Sequence, residues 1–494
     1  MAYFCGHRQH VAFRPSLSRD RRAEAATERR HRRSLRCRGV DVADLDRQVR
    51  TLSGCIPPQL ADRLLELGHE QDVESLAGRG EWFCARAWAR LLGERGRHDR
   101  ARDVLAPYVA TGWWPAARVQ AELLEGRGRA LEAIALTRPY ARAGDRMALD
   151  FVGRLMARHD HGAEAFDLLS PGVEDWFLAD ALVDVAEAAG RDAEAAELLS
   201  AWIPADHRCD TPWCCRSGLD PDTALGLLAR IRERQGRVDE AIALLRARNG
   251  TSVNGRDQLA ELLARHGRIE ELRAYAASDV HGHAAQRLAE VLEERGDLEG
   301  AIVVYRQEKA GSNRRYHDPV LLAGLLSRHG RADEAIAGLR AQVDSPGGAE
   351  DWVVDALCTL YAEHGRAREG LAHLDALKER RGGQEEWDFF RMRLPLLADC
   401  GLLDEAIELA GAHHEGASWY AAWSLSDLLA EAGRAEEAVA VLEQHPASNG
   451  SVLAERLIDL GRVEDAVRVL RNRPDPEPVT DHPWDGDRCD APPF

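Results

Sequence analysis

Four soft metal ligands fall within nine residues of this 494-residue chain: His207, Cys209, Cys214 and Cys215. Thiolates and an imidazole at that density suit tetrahedral zinc. The spacing is Cys-x4-Cys-Cys rather than two C-x-x-C knuckles, which places adjacent sulfurs poorly for one ion. A redox pair at Cys214–Cys215 is the other chemical reading. Pro204, Pro212 and Pro221 make the stretch a loop in every case. A loop with idle thiols, available for partner contact, is the favoured reading. His413-His414-Glu415 is a second tempting group, but it lacks a further ligand nearby in sequence.

The remaining chemistry is excluded by missing signatures. No Gly-Lys dipeptide occurs, so no phosphate-cradling G-x-x-x-x-G-K-[ST] loop is possible. H-E-x-x-H, G-x-S-x-G and G-x-G-x-x-G are also absent. His98, His159, His266, His329 and His364 recur beside turns, where an imidazole can cap helix-end carbonyls. The expectation is a chain that is not an enzyme and needs no cofactor.

What positions these residues is a repeat. The phrase Gly-Arg-x-x-Glu-Ala begins at Gly128, Gly236, Gly330 and Gly433. Related turn residues complete a series: Gly68, Gly96, Gly128, Asp160, Gly190, Gly236, Gly267, Gly296, Gly330, Gly365, Gly401, Gly433 and Gly461. The thirteen anchors lie 28 to 36 residues apart, with one gap of 46. A fixed period of this length marks stacked supersecondary units. Gly and Asp tolerate the left-handed conformation that a helix end requires.

A longer apolar-periodic helix is predicted before each anchor and a shorter one after it. A helix of eight or so residues is marginal alone and must pack on a neighbour. Seven positions before the anchor lies a small residue, from Ala61 to Ala454, except at Val183 and Leu394. Five positions after it lies Ala in ten units and Gly370 in another. Large apolar residues such as Leu64, Leu92, Met156, Leu263 and Tyr361 lie four positions before it. Small against large fills space between layers.

This pattern resembles the tetratricopeptide repeat family, as in Leu259, Ala260, Leu263 and Gly267, or Leu288, Ala289, Leu292, Gly296 and Ala301. The resemblance covers about 85% of the chain. It departs in lacking the family's mid-helix Trp and most closing prolines. Trp82, Trp114, Trp176, Trp387 and Trp419 instead lie fourteen residues before their anchors. They are read as packing caps, with an aromatic ladder for a partner as the rival reading. The implied fold is all-α, an α-solenoid of about thirteen stacked hairpins forming a tetratricopeptide-like superhelix.

The resemblance also implies that the first helix of each unit lines a binding groove. By that analogy the candidate contacts lie ten and six residues before the anchors: Arg86, Arg90, Arg118, Glu122, Asp150, Arg154, Asp180, Asp184, Asp257 and Glu261. The family's carboxylate clamp uses Lys and Asn at such places. Neither occurs there, so that clamp is not expected.

Charge sets the boundaries. The net charge is −18. Residues 1–40 carry eleven Arg against three acids, about +8, so the rest carries about −26. Residues 1–55 read as a basic disordered arm or a spurious start, 56–473 as the solenoid with a loop insertion at 200–222, and 474–494 as a Pro/Asp-rich disordered tail. An acidic body repels nucleic acid and anionic membrane, so nucleic acid is expected only through the arm. No signal peptide or membrane-length apolar stretch is seen, and a cytoplasmic protein is expected. Lysine occurs only at Lys309 and Lys378, and the Ala/Arg-heavy usage points to a high-GC bacterium. The expected function is a scaffold or adaptor that holds a protein or peptide. The alternative is a regulatory sensor of a bacterial signalling or transcription system whose arm touches nucleic acid.

Overall fold

The anchor residues form the turns that the spacing demands. All thirteen have positive φ, from 64° at Asp160 to 83° at Gly68. Asp160 is one of two non-Gly residues with positive φ among the described residues. A computed structural model describes residues 41–203, 218–248, 252–253, 256–279, 282–306, 318–345, 350–383 and 385–472. These residues are helical throughout, apart from turns and a two-residue antiparallel pair, Ser252–Val253 with Arg256–Asp257. That pair is a departure from an all-helical reading, and it occupies one connection between hairpins.

The chain forms two units, Arg127–Arg456 and the remainder on either side of it. In the larger unit the turns at Asp160, Gly190, Gly236, Gly267, Gly296, Gly330, Gly365, Gly401 and Gly433 each join two antiparallel helices. Five first helices of this unit open on polar caps. Asp145, Asp175, Asp220, Asp257 and Ser418 accept hydrogen bonds from the N–H groups of Ala148, Phe177, Thr223, Leu259 and Ala421. Each such cap is worth about 1 kcal/mol to its helix.

The small residues pack as the pattern requires. Ala229, Ala260, Ala289 and Ala323 are buried, and so are Ala241, Ala301, Ala335 and Ala406 on the second helices. A Cβ added at Gly153 would lie 2.7 Å from Leu169 Cδ1 across its hairpin. One added at Gly370 would lie 2.9 Å from Leu396 Cδ1 of the next unit and 3.2 Å from Tyr361 Cβ. Small residues therefore set how closely the helices approach. A continuous core from Ala229 to Leu396 results. Truncating one of its leucines, such as Leu263→Ala, costs about 3 kcal/mol.

The smaller unit contains hairpins at Gly68 and Gly96 and the helix Trp114–Glu125. It corrects the expected arm: residues Val42–Thr51 form a helix capped by Asp41, and Asp46 accepts from Trp113 Nε1 at 2.7 Å. The last helix, Val463–Arg471, belongs to this unit as well. Arg471 donates to the buried Glu81 at 2.5 Å, Arg79 pairs with Glu464 at 3.0 Å, and Arg63 pairs with Asp459 at 3.0 Å. The final turn thus packs on the first hairpins. Residues 1–40 and 473–494 lie outside the described residues.

Candidate interaction surface

First helices of successive hairpins lie side by side. In the smaller unit these are Pro58–Glu66, Trp82–Glu94 and Trp114–Glu125. In the larger unit Arg146–Arg158, Trp176–Ala189 and Pro221–Arg234 form the same arrangement. Positions ten and six residues before the turns therefore come together from consecutive units, and the candidate contacts fall on these faces.

In the larger unit they neutralise one another. Arg154 donates from Nε to Asp150 at 2.7 Å, from Nη2 to Asp180 at 2.9 Å, and from Nη1 to Asp184. Arg230, from the following hairpin, donates to Asp180 at 2.5 Å and also to Asp184. Two guanidiniums thus clamp three half-buried carboxylates across three helices. Burial opposes the Arg154 charge, but the Asp150 and Asp184 bonds outweigh it and raise its pKa. Arg234 extends the network through Asp192 at 2.5 Å and the Val183 carbonyl at 3.0 Å.

Two other candidates are also occupied. Glu261 accepts from Arg287 at 3.2 Å. Asp257 is buried, caps helix Gln258–Arg265 through the N–H groups of Leu259 and Ala260, and accepts from Tyr275. It is a structural cap and is not offered to a partner, which corrects the expectation for that residue. A cap position and a groove position share one register here because the helix begins late.

The smaller unit differs. Arg90 Nη2 and Arg118 Nε each reach Glu122 at 3.0 Å, so one carboxylate serves two guanidiniums. Arg86 lies half-buried with its Cζ 5.1 Å from the Phe83 ring centroid. No carboxylate or carbonyl among the described residues bonds it. Burial, and then the Arg90 charge, hold its pKa down.

The tryptophan series divides. Trp82 and Trp387 are core residues; Trp82 packs edge-on against Tyr108 and Trp113, with centroids 5.2 and 4.8 Å away. Trp176 and Trp419 are about half-exposed, and Trp423 joins Trp419 one turn on. Arg146 covers part of Trp176 at 5.4 Å and Phe177 at 4.8 Å. The packing reading holds for Trp82 and Trp387, and Trp114 is partly buried.

Of the two groups of candidate metal ligands, one falls among the described residues. His207, Cys209, Cys214 and Cys215 lie outside the described residues. In His413-His414-Glu415 the possible ligand atoms fall within 4.8 Å of one another. His413, however, spends Nε2 on the Glu385 carbonyl at 3.0 Å and Nδ1 on the Glu415 N–H at 3.2 Å. Glu415 accepts from Trp387 N at 3.0 Å and from Tyr420. These groups lock a turn. Burial pushes the Cys55 and Cys358 thiols up to about 12, away from nucleophilic use.

Two ladders escaped the sequence reading. In the repeated Gly-Arg-x-x-Glu phrase, Arg331 bridges Glu334 of its own unit and Glu299 of the preceding one, both at 2.6 Å. Arg268 does the same with Glu271 and Asp239, and Arg366 with Glu369 and Asp333. The histidines at the turns form the second ladder. His266 meets Glu233 at 2.9 Å, His329 meets Glu293 at 2.9 Å, and His364 meets Ser327 at 2.8 Å. The partners of these three are side chains of the preceding unit, which corrects the expectation of carbonyl capping for them. The recurring Arg-x-x-Glu spacing was the available signal, since residues three apart share a helix face.

No family model matches the sequence, and no curated protein sequence matches it. Among solved structures, one of Naa15/Naa10 bound to HypK-THB is 15% identical, covers 89% of this chain and 68% of that chain, and superposes with a TM-score of 0.42. The crystal structure of the APC/C hetero-tetramer Cut9-Hcn1 is 11% identical, covers 84% and 93%, and gives 0.24. At these scores the assignment rests on the chain's own turns and packing: it is an all-α array of stacked helical hairpins.

Proposed function

We propose that this chain is a non-catalytic scaffold or adaptor that holds a protein or peptide along its first-helix faces. The observation that carries the reading is the side-by-side arrangement of first helices, which brings charged and aromatic side chains from consecutive hairpins together on a preformed face within each unit. Such a surface binds by summing modest contacts, and its own backbone needs little ordering to do so. The half-exposed Trp419 and Trp423 support it, because aromatic side chains are favoured anchors at interfaces. No described helix is long and apolar enough to cross a membrane. A cytoplasmic location in a high-GC bacterium belongs to the same proposal and rests on composition.

The test is affinity capture from native lysate with the full chain, followed by amide hydrogen exchange on the purified complex. Protection concentrated in first helices, such as Trp82–Glu94 and Trp419–Glu431, is expected. Protection confined to second helices would overturn the reading.

A further inference from the structure

We propose that Arg86, Arg90 and Arg118 form a docking point for a carboxylate-rich segment of a partner protein. The inference rests on the scaffold reading and names the chemistry of what is held. Arg86 and Arg90 are one turn apart on helix Trp82–Glu94, and Arg118 lies on the adjoining Trp114–Glu125. Glu122 accepts from both Arg90 and Arg118, and it makes no bond to Arg86 among the described residues. Asp62 is the other acid in the field of Arg86, and it makes no bond to it.

Arg86 is the informative member. Other buried or partly buried guanidiniums are paired: Arg154, Arg234, Arg287 and Arg393 each hold two or more acceptors. A half-buried cation without a counterion is costly unless something supplies one. Its Cζ lies 5.1 Å from the Phe83 ring centroid, and a guanidinium that no described acceptor bonds can take a carboxylate bidentately. Burial and the neighbouring Arg90 already disfavour the charge, so an incoming anion relieves an existing penalty. The patch offers three guanidiniums on two adjoining helices, too few to track a polyphosphate backbone but enough to pair with the carboxylates of a short acidic peptide segment.

The test uses the full chain and a fluorescein-labelled peptide of alternating Glu and Ser, read by anisotropy at low ionic strength. A Gln/Ser peptide is the neutral comparator. The acidic peptide is expected to bind at least about tenfold tighter, and Arg86→Gln to remove about tenfold of that affinity. Arg287→Gln, which alters an already paired guanidinium of the larger unit, is expected to leave it unchanged. Equal binding of the two peptides, an unaffected Arg86→Gln variant whose melting matches the parent, or tighter binding of a single-stranded oligonucleotide would each overturn the assignment. If the peptide fails while exchange protection still falls on first helices, this inference is lost and the scaffold reading stands.

Discussion

Arg90 and Arg154 occupy the same position in their hairpins, six residues before the turn, yet their surroundings differ. The hairpin after Arg154 presents Asp180 and Asp184, and the one after that adds Arg230, so five charges close into a paired network. The hairpin after Arg90 presents Arg118 and Glu122, and Glu122 accepts from both Arg90 and Arg118 while no carboxylate among the described residues bonds Arg86. Equivalent positions therefore do not imply equivalent roles. A charge on a first helix is structural or available according to what the adjoining unit places beside it.

Breaking the paired features should give the largest effects. Glu81→Ala removes the buried acceptor that holds Arg471 to the first hairpins. It is expected to cost about 2 kcal/mol in urea unfolding, less than for a fully buried pair because Arg471 is half-exposed. A cost near zero would mean that the last helix is not held by this contact.

The comparison itself is tested by a matched pair of variants. Arg154→Met leaves Asp180 and Asp184 facing each other with only Arg230 between them, and should lower stability by roughly 1–2 kcal/mol in a half-buried setting. Arg86→Met removes no bond and should stay within about 0.5 kcal/mol of the parent. Similar losses for both would show that Arg86 is also structural and that the two faces do not differ.

The smallest effect concerns the histidine ladder. The Arg328 bond holds the Glu293 carboxyl below its usual range, with His329 contributing. A depressed carboxyl stabilises the folded state above its unfolded value of about 4.3, and that contribution disappears as pH falls through the folded value. Glu293→Gln should therefore flatten the loss of thermal stability below about pH 4.3 and cost roughly 0.5 kcal/mol at neutral pH. An unchanged acid limb would show that the ladder contributes nothing.

Much of the fold was legible because its constraints are local. The turn glycines and Asp160 announce a backbone conformation by residue type alone, and the alternation of Ala260 with Leu263 or Gly153 with Met156 announces which sides must pack. The candidate surface was legible only as a register. Position picked out Asp180, Asp184 and Asp257 alongside Arg86, yet the first two are clamped by Arg154 and Arg230 and the third caps a helix. Trp82 and Trp176 share one register too, and one is core while the other is half-exposed.

The amino-acid order thus determined the hairpin, its turn and the residues it buries, since those follow from contacts within about one repeat. The tertiary structure alone decided which charges are satisfied, which aromatics remain at the surface, and that Arg471 returns to Glu81 across 390 positions. Those outcomes depend on distances between units. An electrostatic or apolar contact forms only when separate helices bring its partners within a few ångströms, and no periodicity within a single unit records that.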